Sequence, residues 1–465
     1  MKQMSRKIIV SIMLVLALCI VSFSGCSIAS KIASKDTKTV VTSENEAVHL
    51  EIANYEEAVN AILNNTTKEF IGYHPVDESF LGWVASLYGT DIVESIAENN
   101  DYSDPNLWYK LTGKSIHVLW LDYCDAYGLY DSDRVYRIET ASSEECVIDF
   151  SGDFSLAESV ATTKYMESQP NGIKDCFSTQ LLNEMQSADI FMINNEFCYS
   201  NGGHPLDGKA YTFRANPSYV SYLNELGVDF VNLANNHVWD YDEEALLDTF
   251  DTLDGVNMPY VGAGRNLAEA MRPIYYVANG KKIAIVSATQ IEKSYNYTKQ
   301  ATEDGPGVLK TLDPELFVSE IKAANRNADY VIAVVHWGTE GNASYGEDQT
   351  KLAEDFINAG ADAIIGGHTH CLQGIEYLNG VPVYYSLGNY WFSVSGAMPS
   401  AYDTGLAQLR ISSNGDIESY FIPCEFSYGV TSMASETNQS EKILDKLQNL
   451  SKYSTISSDG KIQEK

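Results

Sequence analysis

Four apolar runs, far apart along the chain, each end in side chains of the kind that bind metal ions. Val331-Ile-Ala-Val-Val runs into His336, and Ala363-Ile-Ile runs through two glycines into His368 and His370. Val228-Asp-Phe-Val-Asn-Leu-Ala runs into Asn235, Asn236 and His237, and Cys146-Val-Ile-Asp-Phe-Ser into Gly152 and Asp153. Runs this rich in β-branched residues read as strands buried on both faces, as in parallel sheets covered by helices. In such sheets ligands collect outside the carboxyl ends of the strands. The pattern therefore calls for an α/β fold with one polar edge served by several strands.

From Cys146 to about residue 423 the alternation continues. Strands are expected at 190–193, 228–233, 282–287, 330–335, 363–365 and 381–385. Helices are expected between them, at 243–253 and 352–359, where apolar residues recur at i, i+3, i+4 and i+7. Upstream, residues 49–145 read as a smaller, mostly helical region, with helical patterns at 55–63 and 81–88 and a strand-like stretch at 115–121. Residues 427–465 read as a polar tail with one short helix around Ile443, Leu444, Leu447 and Leu450.

The amino terminus has the form of a targeting signal. Lys2, Arg6 and Lys7 precede an apolar run from Ile8 to Phe23, which ends in Ser24-Gly25-Cys26. The run is shorter than the roughly 20 residues of a spanning helix, and small residues before a cysteine resemble a bacterial lipobox. That resemblance implies cleavage after Gly25, lipid on Cys26 and an extracytoplasmic, membrane-anchored lipoprotein of a bacterium. Residues 26–48, rich in Ser, Thr, Lys and Glu, then read as a flexible tether.

Charge narrows the partners. With 31 basic against 63 acidic residues the net charge is -32, and cleavage would remove three bases and no acids. Nucleic acid is excluded as an electrostatic partner, and an anionic substrate would need help from bound cations. Of the eight cysteines, Cys124, Cys146, Cys176, Cys198, Cys371 and Cys424 remain after the signal and Cys26 are set aside. None forms a C-x-x-C pair, so they read as small buried apolar residues and not as a zinc module.

Each candidate ligand has a plain structural reading. Asp153 and Asn236 alone would cap turns, and His336 alone would pack on Trp337. Arriving together at successive strand ends, they read as one metal site. Val261-Gly-Ala-Gly264 lacks the third glycine of a dinucleotide loop and reads as a turn. His204 reads as a solvated loop residue, and Ser386 and Asn389 as turn residues after a strand.

The segment from 147 to about 423 resembles the poly-gamma-glutamate capsule synthesis protein CapA family, which is similar in fold to calcineurin-type metallophosphoesterases. The resemblance rests on Phe150-Ser-Gly-Asp153, Asn194-Asn-Glu196, Asn232-Leu-Ala-Asn-Asn-His237 through Asp240, Val261-Gly-Ala-Gly264, His336-Trp-Gly338, Gly367-His-Thr-His370 and Tyr385-Ser-Leu-Gly-Asn389, in that order. It implies a calcineurin-like metallophosphoesterase sandwich over 146–426. Asp153, Glu196 and His370 would hold a first divalent ion, and Asn236, His336 and His368 a second, with Glu196 bridging. One or two ions of Mn, Zn, Fe or Mg are implied per chain. His237, oriented by Asp240, would be the catalytic acid. Three positions depart from the pattern: Ser155 replaces a histidine, Glu196 an aspartate, and Asp242 a glycine.

The function implied is metal-dependent phosphoester hydrolysis in capsule or cell-envelope polymer biosynthesis. The partners would be an anionic polymer or phosphoester substrate, the membrane through the lipid anchor, and a capsule synthesis or export complex. Two alternatives compete. A non-catalytic polymer-binding or export component could use the same fold, and Gly152-Asp-Phe-Ser-Leu156 resembles a serine-esterase block with Ser155 as nucleophile. The second needs a late Asp-x-x-His, which the chain lacks.

Overall fold

The computed structural model of the protein describes residues 80–89, 91, 92, 95, 106–127, 134–293 and 296–465. The expected signal, Cys26, the tether and the helical pattern at 55–63 lie outside these residues. The chain divides into two compact units, one holding residues 1–107 and 119–132, the other 108–118 and 133–465.

In the first unit the helix Phe80–Tyr88 buries Phe80 and Val84. Phe80 meets Trp120 and Tyr123 edge-on, at centroid distances of 5.4 and 5.7 Å, a geometry that aromatic quadrupoles favour. Residues 115–121, expected as a strand, are helical instead, within or just before the helix Ile116–Tyr127. The Ser115 hydroxyl accepts from the Val118 amide at 3.3 Å and caps the helix start. Ile116, Leu119, Trp120 and Tyr123 are all buried and follow the i, i+3, i+4, i+7 template, which a short apolar run does not reveal on its own.

The second unit is a four-layer sandwich of two sheets between helices. One sheet has seven strands in the order Val135–Arg137, Ile274–Ala278, Lys281–Thr289, Tyr330–His336, Ala363–Gly367, Val381–Tyr384, Ile375–Leu378. Its four strands from Lys281–Thr289 to Val381–Tyr384 run parallel. The strand Val135–Arg137 belongs to this sheet, although it lies in the stretch expected to be mostly helical. The other sheet has ten strands, with Tyr402–Ser412, Glu145–Phe154, Ile190–Asn195 and Phe230–Asn232 adjacent at its centre.

Alternation along these strands builds the layers. Ile148, Phe150, Ile190 and Met192 face Ile283, Ile285, Ile332 and Val334 in the core between the sheets. Phe191 and Ile193 point the other way, into a second core that includes Leu181 and Met185 of the helix Thr179–Ser187 and Leu246 and Phe250 of Asp242–Asp254. The far face of the seven-stranded sheet carries Glu315–Asn327 and Glu347–Ala359, packed through Phe317, Ile321, Leu352 and Phe356. Fully buried parallel strands thus account for the unbroken apolar runs of the sequence.

The carboxyl-terminal segment is more than a polar tail. Lys461–Glu464 pairs with Ile417–Ser427 and with Ser454–Ile456, extending the ten-stranded sheet. Ile443, Leu444 and Leu447 of the helix Ser440–Leu450 join the core between the sheets. The six cysteines of the described residues are all free; five are buried and Cys371 partly so.

Candidate metal centre

Strand register creates the site. In the ten-stranded sheet Asp153 lies opposite Asn194, Asn194 opposite Asn232, and Asn389 opposite Asp153 on the other side. In the facing sheet Thr289, His336 and Gly367 are in register. The carboxyl ends of both sets of parallel strands therefore deliver polar residues to one edge, with Glu196, Asn236, His237, His368 and His370 on the turns that follow.

The strand carrying Asp153 is irregular between Phe150 and Asp153, a local bend of the kind that re-aims side chains beside active sites. Gly152 makes this possible: a Cβ there would lie 2.0 Å from the carbonyl oxygen of Gly388, so any side chain would push away the strand Asn389–Trp391. Across the site, His368 and His370 adopt φ values of 90° and 57°. Left-handed backbone at a non-glycine residue costs about 1–3 kcal/mol, and such strain collects at functional sites.

Two ligand sets result. Glu196, His336 and His368 each place a ligand atom within 4.8 Å of the others, and so do Asp153, Glu196 and His370. Glu196 is common to both. Asn236 Oδ1 lies 2.8 Å from His336 Nε2, beside the first set. Asp153 and Glu196 are fully buried, and among the described residues nothing donates a hydrogen bond to Asp153 Oδ2 or Glu196 Oε1. His370 Nδ1 is 3.1 Å from Asp153 Oδ2, but its hydrogen bond goes to Asn389 Oδ1 at 2.8 Å. Buried carboxylate oxygens without donors are costly, and a cation would satisfy both.

Electrostatics fit the same reading. Burial drives His336 down to about 3 against the pull of Asp153. Burial, with His336 and His370 nearby, also depresses His368, so both imidazoles are neutral and able to ligate. Burial and the Asp153 charge push Glu196 far above the carboxylate range: two acids this close do not ionise together without a cation. Burial would raise Asp153 too, but the His370 ring beside it, with help from His336 and the Asn194 hydrogen bond, holds it low.

His237 stands apart from the ligands. Its Nδ1 is 2.6 Å from Asp240 Oδ2 and its Nε2 3.9 Å from Glu196 Oε1, so it faces the shared carboxylate without reaching it. Its ring lies 4.4 Å from that of Phe213. Burial, then the Lys209 charge, lowers its pKa. Burial lifts Asp240 to about 7 even against Lys209.

The chain matches the sequence model of the bacterial capsule synthesis protein PGA_cap over residues 147–394. It belongs to that family. It is 35% identical over 208 residues to the PGA biosynthesis protein CapA of Bacillus subtilis, covering 44% of this chain and 53% of that one. It is 30% identical over 254 residues to the capsule biosynthesis protein CapA of Bacillus anthracis, 51% and 60% of the two chains. A probable polyglutamine synthesis accessory protein of Mycobacterium tuberculosis is 29% identical over 213 residues, 44% and 56%. The chain thus spans about half the length of the curated relatives it matches. The PGA_cap match begins and ends within the sandwich and contains all six candidate ligands, His237 and Asp240.

The departures from the metallophosphoesterase pattern have structural counterparts. Ser155 is buried and its hydroxyl accepts from the Ala157 amide at 3.3 Å, turned to the backbone; among the described residues no hydrogen bond joins it to a histidine. Asp242 has a φ of 72°, the left-handed backbone that glycine adopts freely. His204 is exposed. Ser386 Oγ accepts from Thr369 Oγ1 at 2.8 Å and supports the turn between the two histidines.

Three residues given no role from sequence also shape the site. Asn194 Nδ2 donates to Asp153 Oδ1 at 2.8 Å, while its Oδ1 accepts from Asn232 and Asn235. Phe392 stacks 4.9 Å from His370. Lys209 reaches Asp240 from a loop. Asn194 was visible as the first residue of the polar strand end Asn194-Asn-Glu196; a lone phenylalanine and a lone lysine carry no comparable signal.

Proposed function

We propose that this site is a metal-dependent phosphoesterase centre, and that the protein serves capsule or cell-envelope polymer synthesis from the outer side of a bacterial membrane, tethered by lipid on Cys26. One observation carries the reading: a shared buried carboxylate, Glu196, lies between two ligand sets with a His–Asp pair facing it. A structural metal needs no such histidine.

Asp153, Glu196 and His370 would hold one divalent ion, and Glu196, Asn236, His336 and His368 the other. Mixed nitrogen and oxygen donors suit Mn, Fe or Zn, and Mg less well. When bound, such ions supply Lewis acidity and activate water near neutral pH. The residues of the chain do the rest. Asp240 accepts the Nδ1 proton of His237 and so aims Nε2 at the centre, where it can give a proton to a leaving oxygen. An anionic substrate beside His237 offsets the burial that disfavours its charged form. Asn194 fixes Asp153, and Phe213 and Phe392 exclude water from one side of both histidines.

The test is turnover. Full-length protein would be assayed on phosphomonoesters and phosphodiesters with manganese, zinc or magnesium. Hydrolysis that chelation abolishes is the expected result. Bound metal without turnover on either class would favour a second reading, a polymer-binding or export-complex component. Ser155 supports that second reading, since it leaves the Asp153 set one ligand short. For the anchor, Cys26→Ser is expected to abolish lipid labelling, and unchanged labelling would remove that part.

A further inference from the structure

Half of the residues in the loop 200–213 are exposed, yet it sends one charged group into the protein. Lys209 has a side chain only 8% exposed, with Nζ 2.6 Å from Asp240 Oδ1 and 3.1 Å from Glu292 Oε1, and it donates to the main-chain carbonyl of Asn236. An ammonium has three N–H donors and no acceptor. Here three oxygens from two separate segments, the turn 236–240 and Glu292, surround it.

Each acceptor matters to the centre. Asp240 holds His237 through its other oxygen, which also accepts from the Phe213 amide at 2.6 Å. The Asn236 carbonyl belongs to a candidate ligand and accepts a second bond, from Thr298 Oγ1 at 2.8 Å. The other oxygen of Glu292 accepts the amides of Tyr297 and Thr298, so this acid ties those two residues to the same point. Without Lys209, the buried carboxylate of Asp240 and the partly buried one of Glu292 would share this point with no cation between them, an arrangement that low-dielectric surroundings disfavour.

We infer that Lys209 is a positioning residue of this centre: one buried ammonium sets both the His237–Asp240 pair and the backbone of Asn236. A compact ammonium suits three convergent acceptors, and the planar fork of arginine does not. The inference rests on the proposed hydrolytic reading for its consequence, but the geometry it describes can be measured without turnover.

Full-length protein labelled with ¹⁵N-histidine would be compared as wild type, Lys209→Met and Lys209→Arg, with the His237 signal identified by its loss in His237→Ala. Wild type is expected to show His237 as the Nδ1–H tautomer with a slowly exchanging proton. Lys209→Met, still folded by circular dichroism, should mix tautomers and exchange that proton at least 10-fold faster, and Lys209→Arg should restore this only in part. An unchanged His237 signal in folded Lys209→Met overturns the inference, whatever the activity. If Lys209→Met does not fold, Glu292→Gln must move the same signal, and no movement is equally fatal. Where hydrolysis is found, Lys209→Met should slow it roughly 10- to 100-fold, the scale of a small misplacement, but add nothing to the loss in His237→Ala; additive losses contradict a role through His237. Should wild type hydrolyse nothing while Lys209→Met still shifts His237, the hydrolytic reading fails and the positioning role stands.

Discussion

His237 and His368 are both buried imidazoles, but their surroundings give them different work. His368 Nδ1 lies 3.2 Å from His336 Nε2, nitrogen facing nitrogen, which is stable only if at least one of the two is bound to something else or neutral. His237 instead gives one nitrogen to Asp240 and keeps the other 3.9 Å from Glu196. Replacing His237 with alanine should therefore leave most bound metal in place while lowering turnover roughly 10²- to 10⁴-fold. Metal content and rate measured on one sample check this, and a metal loss as large as the rate loss would move His237 among the ligands. At this scale the sequence was most legible where residue type and strand end coincided, as for Asp153, His336 and His368. Lys209 was invisible because its role depends on three acceptors that the fold brings from 27 to 83 residues away.

At the scale of elements, the bend at Gly152 ties sheet geometry to ligand position. Gly152→Ala would set a methyl group 2.0 Å from the Gly388 oxygen. Overpacking of this kind costs about 1–3 kcal/mol, and relief would displace either Asn389–Trp391 or the Asp153 ligand beside it. We expect lower metal content together with a lower melting temperature; a variant with full metal content would show that the strand yields elsewhere.

The same strand carries Asp149 on its outer face, where Gln408 Nε2 bridges it to Glu184 and Asp149 Oδ2 has no partner among the described residues. Burial pushes Asp149 up to about 8, with Glu184 adding and Gln408 opposing. The folded state then keeps a proton that the unfolded chain releases near pH 4, so this group's contribution is full below about pH 4 and is lost as pH rises towards 8. Asp149→Asn should raise stability at pH 8 and change it little at pH 4, seen as a flatter melting temperature against pH; an identical slope in both proteins would contradict it. Strands were legible here because fully buried parallel runs are long and β-branched. The helix Ile116–Tyr127 was misread because a short apolar run suits either state until its capping serine is considered.

For the whole molecule, the two-sheet sandwich explains why the ligands are scattered in sequence and adjacent in space: each parallel strand ends at the same edge. The sandwich also explains what reading along the chain could not show. Residues 427–465 look polar because their few apolar groups are spread over two short helices and three short strands. Yet Ile443, Leu444, Leu447 and Ile462 all enter the core between the sheets. Burying such side chains contributes about 1.5–3 kcal/mol each, comparable in sum to the net stability of a domain, about 5–15 kcal/mol. Ending the chain at Ser427 should therefore abolish cooperative unfolding or sharply lower the melting temperature, as circular dichroism would record; a truncated protein as stable as the full chain would contradict the packing.

The account depends most on Glu196 standing between two ligand sets that hold cations. Elemental analysis of purified full-length protein, beside His368→Ala prepared in the same way, tests this most directly. The expected result is one to two divalent transition-metal ions per wild-type chain and a marked loss in His368→Ala with the fold retained. Wild-type protein that binds no metal, even after incubation with manganese or zinc, would contradict it.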